Sequence, residues 1–437
     1  MAVLFRDFFY LDPEMDKALR GDVLVENDRI ISIGKDLAFP DDGAEVVEGR
    51  GGRLLIPGFV NSHTHAAMTL LRGLGEELPL KEWLPLKEWL EERIWPVEAG
   101  LTAEHVYWGT RGAIIEMVST GTTCFSDMYF EMDEVARAAV DTGARCCICR
   151  GLTGNDRKKI EEGIELFKKW DRKGNIRVML GPHAPYTVSP ETLKEIAVSA
   201  ASLGAGVHFH FLEAQWELDY LKDSFGMGPA LYLEKSGLLD TVSTVLAHCV
   251  WFPDEEIESL AGSPVTVVHN PSSNMKLGSG HAPLNEFIRG GIPVSLGTDG
   301  AASNNRLDLW GEMRLCSLIH KGFMKDPTVV GAREVFRMAT VEGARSCGFE
   351  STGLIREGWQ ADLVVVDLEQ PHYIGWSPEN LPGFLVYAGS GSDVIGTMAA
   401  GRWLYRDGRF PGQDLHGIMK EISRCRQDLV SRFSSGR

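Results

Sequence analysis

The sequence predicts an α/β protein: a (β/α)8, TIM-like barrel with a small β-sandwich domain formed by both chain termini. Three observations lead there. Short apolar, strand-like runs alternate with helical stretches through the middle of the chain. Both ends are rich in strands instead. Polar residues able to bind metal follow directly after several of the middle strands, where a closed barrel gathers its chemistry.

The elements follow in order. Asp22–Val25, Arg29–Ile33 and Arg53–Ile56 are β-branched, alternating segments, and Ala361–Asp367, Val394–Ala399 and Arg402–Tyr405 match them at the other end. Residues 1–56 plus 355–437 therefore make the small β domain, and 57–354 the barrel. Barrel strands are expected at Leu54–Val60, Thr122–Phe125, Arg145–Cys149, Arg177–Leu180, Gly206–Phe211, Thr244–Ala247, Val265–Val268 and Pro293–Leu296. Helical stretches lie at 103–119, 131–142, 158–171, 190–203, 228–237, 253–261, 282–290 and 307–321. Eight such units are what a closed barrel requires. A doubly wound open sheet would carry G-x-G-x-x-G after its first strand; the chain has Pro57-Gly-Phe-Val-Asn-Ser-His63 there. A tandem duplication, Leu80–Leu84 and Leu86–Leu90, marks one local excursion.

The 437 residues carry 44 basic and 61 acidic side chains, a net charge of −17. Such a chain repels phosphate backbones and anionic membranes, so neither nucleic acid nor membrane is an expected partner. No apolar run approaches the roughly 18 residues of a membrane span. The N-terminus lacks the pattern of a signal peptide, and a cytoplasmic location is expected. Three of the eight cysteines crowd into the apolar run Arg145–Arg150, where Cys146 and Cys149 give a single C-x2-C spacing rather than the two pairs a cysteine zinc site wants. They read as small core residues in a reducing compartment.

His63 and His65 are two apart, so on an extended strand both imidazoles point the same way. His210 follows strand five and Asp299 strand eight. Together they offer three nitrogens and one oxygen, which suits one Zn2+ with a position left for water; iron or another divalent metal fits the same donors. Glu213 and His248 also follow strands. His208 reads as a core residue orienting a neighbour, and His269 as structural. His105, His281, His320, His372 and His416 lie off the strand ends and read as bystanders. The G-S-G strings at 278–280 and 389–391 read as turns.

Pro57–His65 resembles the opening signature of the amidohydrolase superfamily. Ala67–Gly73, Ile94–Glu98, Gly181–Tyr186, His269–Gly278, Gly297–Asn305 and Glu357–Val366 resemble the 5-methylthioadenosine/S-adenosylhomocysteine deaminase family, within a group that includes the triazine hydrolases. The resemblance implies metal ligation by His63, His65, His210 and Asp299. It implies Glu213 as proton shuttle and His248 and Asp299 beside the attacking water. Glu98 matches the carboxylate that holds the ribose hydroxyls, and Trp89, Arg150 and His183 match further substrate contacts. Trp83 competes with Trp89 for the aromatic position, and a further basic contact falls near Arg157 or Lys159. Two-metal relatives carry a modified lysine after strand four, where this chain has Leu180-Gly-Pro-His183, so one metal is favoured. The implied reaction is deamination of 5′-modified adenosines, 5-methylthioadenosine or S-adenosylhomocysteine, to the inosine analogue and ammonia, by attack of a metal hydroxide on C6. Alternatives are deamination of 5′-deoxyadenosine, adenosine, guanine or another aromatic base, triazine hydrolysis, or a non-catalytic binding role. Family barrels often associate, so a homo-oligomer is an open expectation. Each contact residue also has a plain structural reading: Glu98 as a helix-terminal carboxylate, Arg150 in an ion pair, Trp89 in apolar packing, Glu213 at the surface, His183 as a support.

Overall fold

The computed structural model describes residues 2–38, 43–74, 76 and 85–435. Trp83 and the first copy of the duplication lie outside the described residues.

Five strands form the N-terminal part: β1 (Ala2–Leu11), β2 (Ala18–Glu26), β3 (Arg29–Gly34), β4 (Glu45–Glu48) and β5 (Arg53–Pro57). Eight parallel strands follow: β6 (Phe59–Thr64), β7 (Thr122–Tyr129), β8 (Arg145–Leu152), β9 (Ile176–Pro182), β10 (Gly206–Phe211), β11 (Thr244–His248), β12 (Val265–His269) and β13 (Val294–Leu296). The chain then returns through β14 (Leu363–Asp367), β15 (Val394–Ala399) and β16 (Arg402–Arg406).

The barrel strands pair in sequence order from β6 to β13. The seam between the last and the first is bridged by the segment after β13. Asp299 N–H donates to the His63 carbonyl at 3.0 Å, and Thr298 N–H to Asn61 Oδ1 at 2.9 Å. Strand residues are buried almost without break, as a sheet covered on both faces requires. Val60, Cys124, Met128, Cys147, Cys149, Met179, Val245 and Val268 pack together in one core cluster with Cys347 and Phe349. All eight cysteines are free and buried.

The terminal strands form one mixed sheet in the order β16-β15-β14-β5-β1-β2-β3, with β4 also on β1. A register shift in β1 between Phe5 and Phe8 divides its partners: Val3–Arg6 pair with β4, Phe9 and Tyr10 with β5. Val3, Phe5, Phe8, Val23, Ile30, Leu55, Leu363 and Met398 share the core of this region.

The structure departs from the sequence reading in three places. The expected strand Leu54–Val60 is two strands, β5 in the mixed sheet and β6 in the barrel. Gly58 separates them, and a side chain there would collide with Thr123, whose Oγ1 lies 2.2 Å from an added Cβ. Helix Gln215–Phe225 follows β10 unannounced. The segment after residue 355 holds helix Leu415–Ser435 besides its strands. That helix packs on Ala103–Ser119 through Cys425 and Leu429, tied by His105 Nε2 to Asp428 Oδ2 at 3.1 Å. No helix among the described residues is long and apolar enough to cross a membrane.

Candidate active site

Strand ends deliver the polar groups, and buried partners aim them. His63 lies within β6 and His65 just beyond it, on one face. Each imidazole has its Nδ1 occupied from behind. His63 Nδ1 meets His208 Nε2 at 2.9 Å, His65 Nδ1 meets the Met128 carbonyl at 2.7 Å, and His210 Nδ1 meets the His183 carbonyl at 3.0 Å. His248 Nδ1 meets Asn274 Oδ1 at 2.9 Å. Fixing one ring nitrogen in this way frees the other for a ligand. Asp127 pins the end of β6 by accepting from the Thr64 hydroxyl at 2.9 Å and Ala66 N–H at 2.6 Å. The Ser273 and Ser303 hydroxyls donate to Asp299 Oδ2 at 2.7 and 2.9 Å, leaving Oδ1 to face the histidines. Asp299 and His248 hold positive φ, 60° and 77°, the strained backbone that functional turns accept.

The freed atoms converge. Asp299 Oδ1 lies 3.5 Å from His63 Nε2 and 3.2 Å from His65 Nε2. His210 Nε2 lies 3.3 Å from His65 Nε2. Donor atoms of His63, His210 and His248 lie within 4.8 Å of one another, as do those of Glu213, His248 and Asp299. The His63 and His248 Nε2 atoms are buried with no hydrogen-bond partner among the described residues. An orphaned buried nitrogen costs about 1–3 kcal/mol, and a cation shared with Asp299 is the partner this donor set fits. Burial holds His63 down to about 4, against the pull of Asp299. Burial also opposes charge on His65, but Asp299 and the Met128 carbonyl push it up to about 9. Asp299 resists its own burial because His63 and His65 hold it well below the usual carboxylate range. Asp299 is thus a carboxylate whose charge His65 balances, ringed by further imidazoles.

Beside it stands Glu213, its Oε2 3.6 Å from His248 Nε2. Burial, and then the charge of Asp299, raise its carboxyl well above the ordinary value. Glu217, in the first turn of the next helix, accepts the backbone N–H groups of Leu212, Glu213 and Ala214 at 3.2, 3.0 and 3.1 Å. It fixes the turn that carries Glu213.

A cavity of about 610 Å³ opens on this cluster. Trp89, Glu98, Arg150, His183, His210, Glu213, His248 and Asp299 all line it, so the structure gathers the residues singled out in the sequence; His63 lies buried behind them. Tyr129 donates to Glu98 Oε1 at 2.5 Å. Burial raises the Glu98 carboxyl and this bond opposes the rise. Arg150 Nε lies 3.2 Å from Glu162 Oε2, a pairing the structural reading of that residue anticipates. Of the two basic candidates, Lys159 lines the cavity. Arg157 is exposed and pairs with Glu195 at 3.1 Å. Sequence reasoning missed Asp127, Glu217, Asn274, Ser273 and Ser303. Glu217 alone left a signal, a second carboxylate four residues after Glu213.

Comparison with known proteins agrees with this geometry. The chain is 41% identical over 415 residues to the 5-methylthioadenosine/S-adenosylhomocysteine deaminase of Dictyoglomus turgidum, covering 94% of this chain and 95% of that one. It is 45% identical over 396 residues to the 5′-deoxyadenosine deaminase of Methanothermobacter thermautotrophicus, covering 89% and 90%. A crystal structure of an adenosine deaminase from Xanthomonas campestris with bound zinc superposes with a TM-score of 0.91 at 30% identity, over 98% of both chains. Residues 54–404 match the profile described as Amidohydrolase family, and with that match and these relatives the chain belongs to the amidohydrolase family.

Proposed function

We propose that this chain is a cytoplasmic aminohydrolase of 5′-modified adenosines, 5-methylthioadenosine and S-adenosylhomocysteine, that holds one zinc ion on His63, His65, His210 and Asp299. The observation that carries the reading is the joining, in one cavity, of a cation cradle, a buried Glu213 whose carboxyl is raised above its ordinary value, and a second carboxylate, Glu98. Zinc in the Xanthomonas campestris relative supports the metal.

When bound, the cation supplies Lewis acidity that brings water within reach of deprotonation near neutral pH. Glu213 gives its proton to ring N1 as C6 becomes tetrahedral and takes one from the attacking water. It passes that proton to the departing amino group, which leaves as ammonia, and regains one from the C6 hydroxyl as the carbonyl forms. His248 and Asp299 orient the nucleophile. Glu98, steadied by Tyr129, accepts from both ribose hydroxyls. Trp89, 5% exposed, offers an apolar face to the nucleoside, and His183 a polar contact to the base. Arg150 and Lys159 give the cavity a basic stretch suited to a 5′ group ending in a carboxylate.

The second reading is 5′-deoxyadenosine as substrate, favoured by a relative at similar identity. Ammonia release from adenosine, 5-methylthioadenosine, S-adenosylhomocysteine, 5′-deoxyadenosine, guanine and a chlorotriazine separates the cases. Highest kcat/KM on the first two 5′-thio nucleosides is expected. Preference for 5′-deoxyadenosine transfers the assignment to the second reading, and turnover of the free base or triazine alone ends both.

A further inference from the structure

A second cluster of metal-capable side chains lies in the barrel wall, away from the cavity. Cys316 and His320 sit four residues apart on helix Leu309–Met324 and therefore share a face. His269 is the last residue of β12. One donor atom from each of these three lies within 4.8 Å of the other two, and all three residues are buried. His269 Nε2 and His320 Nε2 stand 3.3 Å apart. His269 Nδ1 is buried and meets no hydrogen-bond partner among the described residues. Cys316 is a free thiol with 0% exposure. None of the three lines the catalytic cavity.

This arrangement is a poor way to fill a core. Whichever tautomer His269 adopts, one buried ring nitrogen stays unpaired, at a cost of about 1–3 kcal/mol. The spacing does suit one ion. Donors about 2.0–2.3 Å from a common centre stand about 3.3–3.8 Å from each other. The one C-x2-C pair, Cys146 and Cys149, lies within β8 with its members in different core clusters, whereas one thiol with two imidazoles is a mixed donor set that sequence spacing does not reveal.

We propose that His269, Cys316 and His320 bind a thiophilic closed-shell cation, copper(I) or zinc(II), at a site separate from the catalytic centre. The donors decide the class. A thiolate with two neutral imidazoles is soft to borderline, and no carboxylate belongs to the set, so magnesium and calcium are disfavoured. The thiol gives up its proton to solvent as the bond to the cation forms. With copper(I) the bound site is then neutral, which burial penalises least, and three donors suffice. Zinc leaves a net positive charge and needs a fourth donor. An exposed imidazole adjoins the cluster, since the His281 ring lies 6.5 Å from that of His320.

The test is uptake by the holoenzyme with its catalytic cation in place. The protein is titrated anaerobically with copper(I) against a chromogenic chelator, and separately with zinc(II), with magnesium(II) as control. Wild type is expected to take one equivalent of copper(I) or zinc beyond the resident cation, and X-ray absorption to find one sulfur and two nitrogen neighbours. Cys316→Ala and His320→Gln are expected to take no further equivalent while keeping the resident cation and ammonia release. Should Cys316→Ala fail to fold, Cys316→Ser, closer in size, carries the same expectation. No extra equivalent in wild type, equal uptake by the folded variants, magnesium uptake in the same amount, or an absorption spectrum without sulfur overturns the proposal.

Discussion

Glu213 is a carboxyl whose work requires a proton, and burial pushes it toward keeping one. Glu213→Gln keeps size and polarity but cannot shuttle protons. It is expected to lower kcat by about 10²–10⁴ while bound metal, measured by mass spectrometry, stays at the wild-type level; near-normal kcat removes Glu213 from the reaction. Glu98→Ala should cost nucleosides about 10²-fold in kcat/KM, as two charge-assisted hydrogen bonds are lost. Turnover of a free-base analogue, wherever detectable, should barely change, and equal loss on both would remove the ribose argument. At this scale the sequence was most legible where position itself carries meaning. His63, His65, His210 and Asp299 stand at or just past strand ends, and a barrel must bring strand ends together. Of the groups that aim them, His208 was legible as a residue orienting a neighbour, but not that the neighbour is His63, 145 residues away; Asn274, 26 residues from His248, was silent, because no local pattern records such gaps.

At the scale of elements, periodicity found the barrel strands but could not place the break at Gly58, because an apolar run reads alike in either sheet. The break depends on the approach of Thr123 from β7, a contact made only in the fold. Helix Leu415–Ser435 was hidden for a related reason. Its buried side chains Cys425 and Leu429 face the barrel helix Ala103–Ser119 rather than a core of their own, while Leu415 and Met419 are exposed. Leu429, 1% exposed, sits in that contact. Leu429→Ala is expected to destabilise the protein by about 2–5 kcal/mol, read as a lowered urea midpoint. A change below about 0.5 kcal/mol, the range of surface substitutions, would show that the helix is not part of the cooperative fold.

At the scale of the whole molecule, buried ionisable groups tie stability to pH. Glu312, 2% exposed, accepts from Ser272 N–H at 3.0 Å and Asn304 Nδ2 at 2.8 Å, yet burial lifts its carboxyl from 4.5 to about 7. Between those values the folded chain keeps a proton that the unfolded chain has released. Its contribution to stability therefore falls as pH rises from the unfolded value through the folded one, then levels off. Unfolding free energies across that range should decline more steeply for wild type than for Glu312→Gln. Parallel curves would contradict the linkage. The barrel as a whole was legible because eight strand-helix units admit few closed arrangements. The mixed sheet was legible only as two matching strand-rich ends, since pairings such as β5 with β14 join residues far apart in the chain.

The account turns on a single cation held by His63, His65, His210 and Asp299. Cys316→Ala protein, lacking the second proposed site, is stripped with a chelator and titrated with zinc while ammonia release is followed. Activity absent from the stripped protein should return in proportion to the first equivalent and then stop rising, and Asp299→Ala in the same background, folded by circular dichroism, should recover none. Full activity in the metal-free protein, or full recovery without Asp299, would contradict the assignment.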